Sequence, residues 1–142
     1  MRYLRPFALL VALLGLLVPV SSPAAAAGHR HGVVIQVSNN NPEAWDFTLL
    51  NISYIQVQPG NRHLPIEVVA FGPGIYMLTR NSEVRAGLRK AMQHGVHFVA
   101  GEASMKSRGL KRRDIYPGVT FVPLGIAEII ARQREGWSYL KP

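Results

Sequence analysis

The hydrophobic positions of the chain fall into four short runs, at residues 33–37, 66–71, 96–100 and 119–122. Each run is rich in β-branched residues and shows little alternation between apolar and polar positions. Unbroken apolar runs of this length are typical of strands buried on both faces, as in parallel sheets covered by helices. Because helical patterns separate the runs, the sequence predicts an α/β fold with a mainly parallel sheet.

The first helix has a well-marked start. Asn41 can cap its amino end, Pro42 fits the first helical position, and Glu43 complements the positive end of the helix dipole. The other predicted elements are helices at residues 82–94, 104–110 and 126–135 and a fifth, edge strand at residues 137–140.

The first helix carries two apolar stripes on nearly opposite sides. One stripe can cover the sheet, whereas the other would face water in a monomer. We interpret the second stripe as a subunit interface, and the alternative is that the C-terminal segment covers it. The first stripe comprises Trp45, Leu49, Ile52 and Ile55, and the second comprises Phe47, Leu50, Tyr54 and Val57.

The two later long helices have a single apolar face each, which is typical of helices that cover a sheet. The inward residues of the helix at 126–135 are expected to be Ile126, Ile129 and Ile130.

The length of 142 residues suits one domain, and the charge balance is basic, with 16 Lys and Arg against 8 Asp and Glu. The basic run at residues 106–113 has no interleaved aromatic residue before Tyr116, so we interpret it as a solvated loop and predict no nucleic-acid partner. The chain has no cysteine, which excludes disulfides, cysteine-ligated metal sites and cysteine nucleophiles.

Residues 1–27 have the layout of a secretory signal peptide, with Arg2 and Arg5 before an apolar stretch and small residues at its end. The apolar stretch at residues 7–20 is short for a membrane anchor, which is the alternative interpretation. We therefore expect cleavage, a domain at residues 28–142, no stable membrane span after cleavage and a periplasmic location.

Small or polar residues follow all four of the predicted strands, where ligands bind in open α/β sheets. The alternative is that they only form tight turns. Because Ser104 has no evident base and Glu102 is a single carboxylate, no catalytic residue is predicted. The candidates for a ligand crevice are Asn39, Asn40, Gly72, Gly74, Gly101, Glu102 and Ser104.

A metal site at the mature amino terminus is a further hypothesis. Cleavage after Ala26 would leave Ala27-Gly28-His29 at a free amine, with His31 close by. An amine, two backbone amides and an imidazole form the square-planar nitrogen geometry that suits Cu(II) or Ni(II). The alternative is a flexible terminus whose histidines bind nothing specific, and no other cofactor is predicted.

Several segments resemble the DsrE/DsrF-like family, in particular its exported branch, from about residue 31 to the end. The resemblance implies a three-layer α/β/α sandwich, with the sheet of four or five strands as its middle layer. It also implies a homo-oligomer (trimer or hexamer) or a hetero-oligomer with a related subunit, and a link to sulfur oxidation or relay. The segments are Val68-Val69-Ala70-Phe71-Gly72-Pro73-Gly74, Gly95-Val96-His97-Phe98-Val99-Ala100-Gly101-Glu102, Gly125-Ile126-Ala127-Glu128-Ile129 and Gln133-Arg134-Glu135-Gly136-Trp137-Ser138-Tyr139.

The chain departs from the family at one position. Where many relatives carry sulfur as a persulfide on the cysteine of Ala-Cys-Glu, this chain has Ala100-Gly101-Glu102. We therefore expect a non-catalytic oligomeric binding or accessory module for a small sulfur-containing or other anionic ligand. The alternatives are a sulfur-relay participant that relies on a partner subunit's cysteine, and a copper- or nickel-binding protein.

Overall fold

Five strands and four helices make up the part of the chain that the computed structural model describes, residues 31–142. The predicted signal peptide and His29 lie outside the described residues. The strands are β1 (Val33–Val37), β2 (Ile66–Ala70), β3 (His97–Gly101), β4 (Thr120–Val122) and β5 (Ser138–Leu140). The helices are α1 (Pro42–Val57), α2 (Arg85–Gln93), α3 (Glu102–Ser107) and α4 (Gly125–Arg134), with 3₁₀ turns at Gly72–Leu78 and Arg112–Asp114.

The strands form one sheet in the order β4-β3-β2-β1-β5, and every neighbouring pair is parallel. The predicted fifth strand is confirmed as an edge strand, because β5 pairs with β1 through Val33 opposite Ser138. The predicted α/β class and the mainly parallel sheet of four or five strands are confirmed.

The topology places helices on both faces of the sheet. From β1 to β4 the chain steps across the sheet in one direction, so right-handed crossovers bring α1, α2 and α3 to one face. The connection from β4 to β5 returns across the whole sheet and brings α4 to the opposite face, where it contacts β1, β2 and β3. The predicted three-layer α/β/α sandwich is confirmed.

The two faces bury cores of different size. The larger core lies under α1, α2 and α3 and includes Ile35, Ile52, Val68, Leu88 and Phe98. The smaller core lies under α4 and consists of Val34, Val69, Val99 and Ile129, with partly buried hydrophobic residues packed against it.

The start of α1 is confirmed. The side chain of Asn41 accepts a hydrogen bond from the backbone N–H of Glu43 at 3.0 Å, and Pro42 occupies the first turn. The inward stripe is buried at Trp45 and Ile52.

The second stripe of α1 lies on the protein surface. Its residues Phe47, Leu50, Tyr54 and Val57 are 54%, 45%, 57% and 73% exposed. The alternative that the C-terminal segment covers them is wrong, because that segment joins the sheet as β5.

Three helices differ from the prediction. α3 spans Glu102–Ser107 rather than residues 104–110. α2 begins at Arg85 rather than at residue 82, because Ser82 and Val84 form a turn before it. In α4, Ile129 is buried as expected, whereas Ile126 and Ile130 are 50% and 44% exposed. Within residues 31–142, no helix is long and apolar enough to cross a membrane.

Candidate functional site

The carboxyl ends of β1, β2 and β3 lie side by side at one edge of the sheet, as the predicted crevice requires. A hydrogen bond joins residues that follow two of these strands. The backbone N–H of Gly72 donates to the hydroxyl oxygen of Ser104 at 2.8 Å. The structure thus brings together two candidates that lie 32 positions apart in the chain.

Asn39 and Asn40 follow β1, and both are exposed. The indole N–H of Trp45 donates to the backbone carbonyl of Asn39 at 3.0 Å, which ties this loop to the first turn of α1. The backbone of the loop is therefore fixed, while its two amide side chains remain accessible at the edge.

Gly72 and Gly74 have structural reasons to be glycine. Gly72 has a φ of 54°, a left-handed conformation that side chains disfavour. A Cβ at Gly74 would lie 2.2 Å from the carbonyl oxygen of Val37, so only glycine lets the 3₁₀ turn approach β1. This geometry favours the interpretation of these two residues as turn formers.

Gly101 is buried at the last position of β3, and its surroundings leave little room for a side chain. A Cβ there would lie 3.0 Å from the backbone nitrogen of Gly125 and 3.4 Å from the Cβ of Phe71. Gly125 is equally confined, since a Cβ on it would lie 2.8 Å from the Cβ of Phe71. The first turn of α4 and the Cβ of Phe71 therefore confine the space beside Gly101.

Glu102 is engaged by an arginine that the sequence analysis did not assign to the site. The Nε of Arg112 donates to the Glu102 carboxylate at 2.9 Å, and the Arg112 guanidinium lies 4.6 Å from the centre of the Phe121 ring. The side chains of Arg112 and Glu102 are 66% and 38% exposed, so the pair adds at most about 1 kcal/mol to stability. Its effect is to hold a guanidinium beside the candidate residue Glu102.

The carboxyl edge of the sheet has groups that can bind an anion. Amide side chains, a serine hydroxyl and an accessible guanidinium can each hydrogen-bond an oxyanion. Among residues 31–142, the Ser104 hydroxyl bonds the Gly72 backbone, and the Glu102 carboxylate bonds Arg112. Neither contact pairs a nucleophile with a general base.

A charged cluster under α4 was not found from the sequence. Glu67 points from β2 into the smaller core with a side chain 2% exposed, and Arg132 of α4 binds both its carboxylate oxygens, at 3.1 and 2.9 Å. Arg132 also contacts Glu128 at 2.9 Å and Glu135 at 3.2 Å. The available signal was a single carboxylate inside an otherwise apolar strand, which at a buried position requires a partner.

The cluster contains three carboxylates and one guanidinium. Burial raises the pKa of Glu128 above its usual value, and the nearby Glu67 carboxylate raises it further, while Arg132 acts in the opposite direction. The pKa of Arg132 is also raised, chiefly by its hydrogen bonds to Glu67. The attraction of one guanidinium therefore does not fully offset the free-energy cost of holding three carboxylates close together.

His31 lies at the amino end of the sheet, just before β1. Its Nδ1 is 3.1 Å from the backbone carbonyl of Gly136, which precedes β5. The other residue of the hypothetical metal site, His29, lies outside the described residues.

Comparisons with known proteins agree on one family. The model of the DsrE/DsrF-like family matches residues 31–142. A protein of unknown function from Methanobacterium thermoautotrophicum, MTH1491, is similar in structure, with a TM-score of 0.75, 28% identity and coverage of 79% of this chain and 99% of that one. No curated protein matches the chain.

Two further solved structures share the fold at lower identity. A conserved protein of unknown function from Bacteroides thetaiotaomicron, BT1422, has a TM-score of 0.66 at 14% identity, covering 82% of this chain and 99% of its own. The ychN protein of E. coli has a TM-score of 0.65 at 13% identity, covering 79% of this chain and 99% of its own.

Proposed function

Because the chain belongs to the DsrE/DsrF-like family, we propose that it is an exported, oligomeric member that binds a small anionic or sulfur-containing ligand without catalysing a reaction. The observation that carries the proposal is Gly101. It occupies the position at which many sulfur-carrying relatives are expected to have cysteine, and the chain has no cysteine anywhere.

Covalent sulfur transfer needs a thiolate on the carrier. At Gly101 the chain has no side chain to bear sulfur, and Gly125 and Phe71 pack against the backbone there. This packing supports a role in which the ligand is held by hydrogen bonds and charge at the neighbouring residues.

The charge distribution favours an anionic ligand. Residues 80–114 contain nine Lys and Arg but only three Asp and Glu. This segment includes Arg112, whose exposed guanidinium lies beside Glu102 at the crevice. A positively charged segment that reaches the candidate site through Arg112 attracts small anions.

The periplasm is the proposed location, on the basis of the layout of residues 1–27. A small anion that enters the periplasm would meet this protein there without crossing the inner membrane.

The alternative is a sulfur relay that uses a partner subunit's cysteine. Ala100 and Glu102 still flank the glycine as they flank cysteine in many relatives, which favours a crevice that once held sulfur. Two observations would favour the relay over the module. A partner protein with a reactive cysteine would be recovered together with this chain, and that partner would be inactive in sulfur transfer when this chain is absent.

Treatment with a polysulfide donor followed by intact-mass analysis tests the absence of covalent chemistry. We expect wild-type protein to gain no sulfur adduct. Ala103→Cys, which places a thiol at an exposed neighbouring position, is the positive control and should gain an adduct. An adduct on the wild-type polypeptide would overturn the non-catalytic part of the proposal.

Titration with thiosulfate and with sulfate by calorimetry tests the binding role. We expect saturable binding that Arg112→Gln weakens at least about tenfold, since a charged hydrogen bond contributes about 1.5–3 kcal/mol. Arg134→Gln, an exposed residue of α4, is the matched control and should bind as the wild type does. Equal affinity in the two variants would contradict the assignment of Arg112 to the ligand site.

A further inference from the structure

The outward face of α1 has the pattern of a helix that packs on another helix. Its exposed apolar residues Phe47, Leu50, Tyr54 and Val57 are spaced by three, four and three positions. This is the a/d spacing of helices that pack side by side. Four exposed apolar side chains on one stripe of a 16-residue helix mark an interaction surface.

The two ends of this stripe carry opposite charge. At the start of α1, the exposed acids Glu43 and Asp46 lie beside Phe47. At the other end, a groove of about 910 Å³ runs between α1 and α2. The ionisable residues that line this groove are Arg62, Lys90 and His94, all of them basic.

The direction of α2 places these basic residues at the far end of the stripe. Gly87 lies against Leu49 near the middle of α1, and the Gln56 side chain donates to the backbone carbonyl of His94 at 3.0 Å near its end. The two helices therefore run in the same direction, with Lys90 and His94 beside the last turns of α1.

We propose that the outward face of α1 binds the same face of a second copy of this chain, antiparallel and around a two-fold axis. With the two-fold axis midway between Leu50 and Tyr54, Phe47 lies opposite Val57 of the second copy, and Leu50 lies opposite its Tyr54. The apolar stripes then cover each other along their whole length, as an isologous contact requires.

The same arrangement pairs the charges. The acidic first turn of one α1, with Glu43 and Asp46, then lies beside the last turn of the other α1. The basic groove lined by Arg62, Lys90 and His94 lies at that end. Each acidic end therefore meets a basic end, and the pairing occurs twice because of the symmetry. A parallel arrangement would instead set like charges against each other.

This inference rests on the proposed oligomer and adds its contact surface and symmetry. A two-fold contact generates assemblies with an even number of chains, so a hexamer is compatible with it and a closed trimer is not.

Two charge-reversal variants test the pairing by sedimentation analysis and light scattering. One is Glu43→Lys with Asp46→Lys, and the other is Arg62→Glu with Lys90→Glu. Each sets like charges together in its own self-association, and we expect each to weaken the contact about a hundredfold. Mixed in equal amounts, the two variants should associate, because both ends of the mixed contact are then complementary. Glu83→Lys, an exposed reversal outside the surface, is the control.

The outcomes separate this inference from the proposed function. A wild-type protein that stays monomeric at high concentration would overturn both the contact and the oligomeric role. An oligomer that both variants retain, or a closed trimer, would overturn only the contact. Recovery on mixing also shows that both variants fold, since neither can associate unless its own α1 surface is intact.

Discussion

Glu128 is the residue at which the charged cluster under α4 has its clearest consequence. Its pKa is raised because burial and the Glu67 carboxylate disfavour the ionised form more than Arg132 favours it. An acid with a raised pKa in the folded state contributes stability at low pH, and that contribution is lost as the pH rises through the folded-state pKa. At neutral pH, the ionised Glu128 therefore lowers the free energy of unfolding.

We predict that Glu128→Gln raises the melting temperature at pH 7.5, because glutamine keeps a hydrogen-bonding group without the charge. The gain should shrink as the pH falls toward 4.5, the ordinary pKa of glutamate, where wild-type Glu128 is increasingly protonated. Thermal unfolding, followed by circular dichroism at several pH values, measures the difference in melting temperature between the variant and the wild type. Glu83→Gln is an exposed control. A gain that is constant with pH, or a loss at pH 7.5, would contradict the prediction.

Single positions of the site were only partly predictable. Residues that follow parallel strands are expected at one edge of the sheet, and Gly72 and Ser104 do meet there. The filling of the space beside Gly101 depends on Phe71 and on Gly125, which comes from the opposite helical layer. Such a long-range contact leaves no periodic signal in the sequence.

At the level of elements, α4 depends on an ion pair. Among the helices of residues 31–142 it is the one that covers this face of the sheet, and it buries only a small apolar core. We predict that Arg132→Met destabilises the protein by about 3–5 kcal/mol, since it leaves the Glu67 carboxylate buried without a partner. Adding Glu67→Leu should recover much of that loss. Urea unfolding measures both, and Arg134→Met, exposed on the same helix, should change stability by less than about 0.5 kcal/mol.

A different order of the measured stabilities would identify another cause of the loss. If the double variant were no more stable than Arg132→Met alone, packing of the Arg132 side chain against Trp137, whose ring centre lies 5.0 Å from the guanidinium, would account for the loss. The uncompensated carboxylate would then not be its cause.

The strands were predicted well because short unbroken apolar runs rich in β-branched residues are typical of buried strands and are too short for most helices. The orientation of α4 was predicted less well, because Ile126 and Ile130 suggested an apolar inner face. The helix instead turns Ile129, Glu128 and Arg132 toward the sheet. There the guanidinium of Arg132 pairs with the buried carboxylate of Glu67. Hydrophobic periodicity alone does not reveal a buried ion pair on the facing strand.

Across the whole molecule, the sheet has a protected centre and two short edges. β1, β2 and β3 have five residues each and lie inside the sheet, whereas β4 and β5 have three each and lie at its edges. We predict by hydrogen-exchange mass spectrometry that amides of the three central strands exchange at least about tenfold more slowly than those of β4 and β5. Equal protection across all five strands would indicate that further contacts cover the edges.

His31 joins the domain beside Gly136, at the amino end of the strands, whereas Asn39 and Ser104 follow their carboxyl ends. An attachment made at His31 therefore lies on the far side of the sheet from Asn39 and Ser104. A protein immobilised on a sensor chip by that attachment presents the carboxyl ends of the strands outward, so small anions in the flowing buffer reach the proposed ligand site unobstructed.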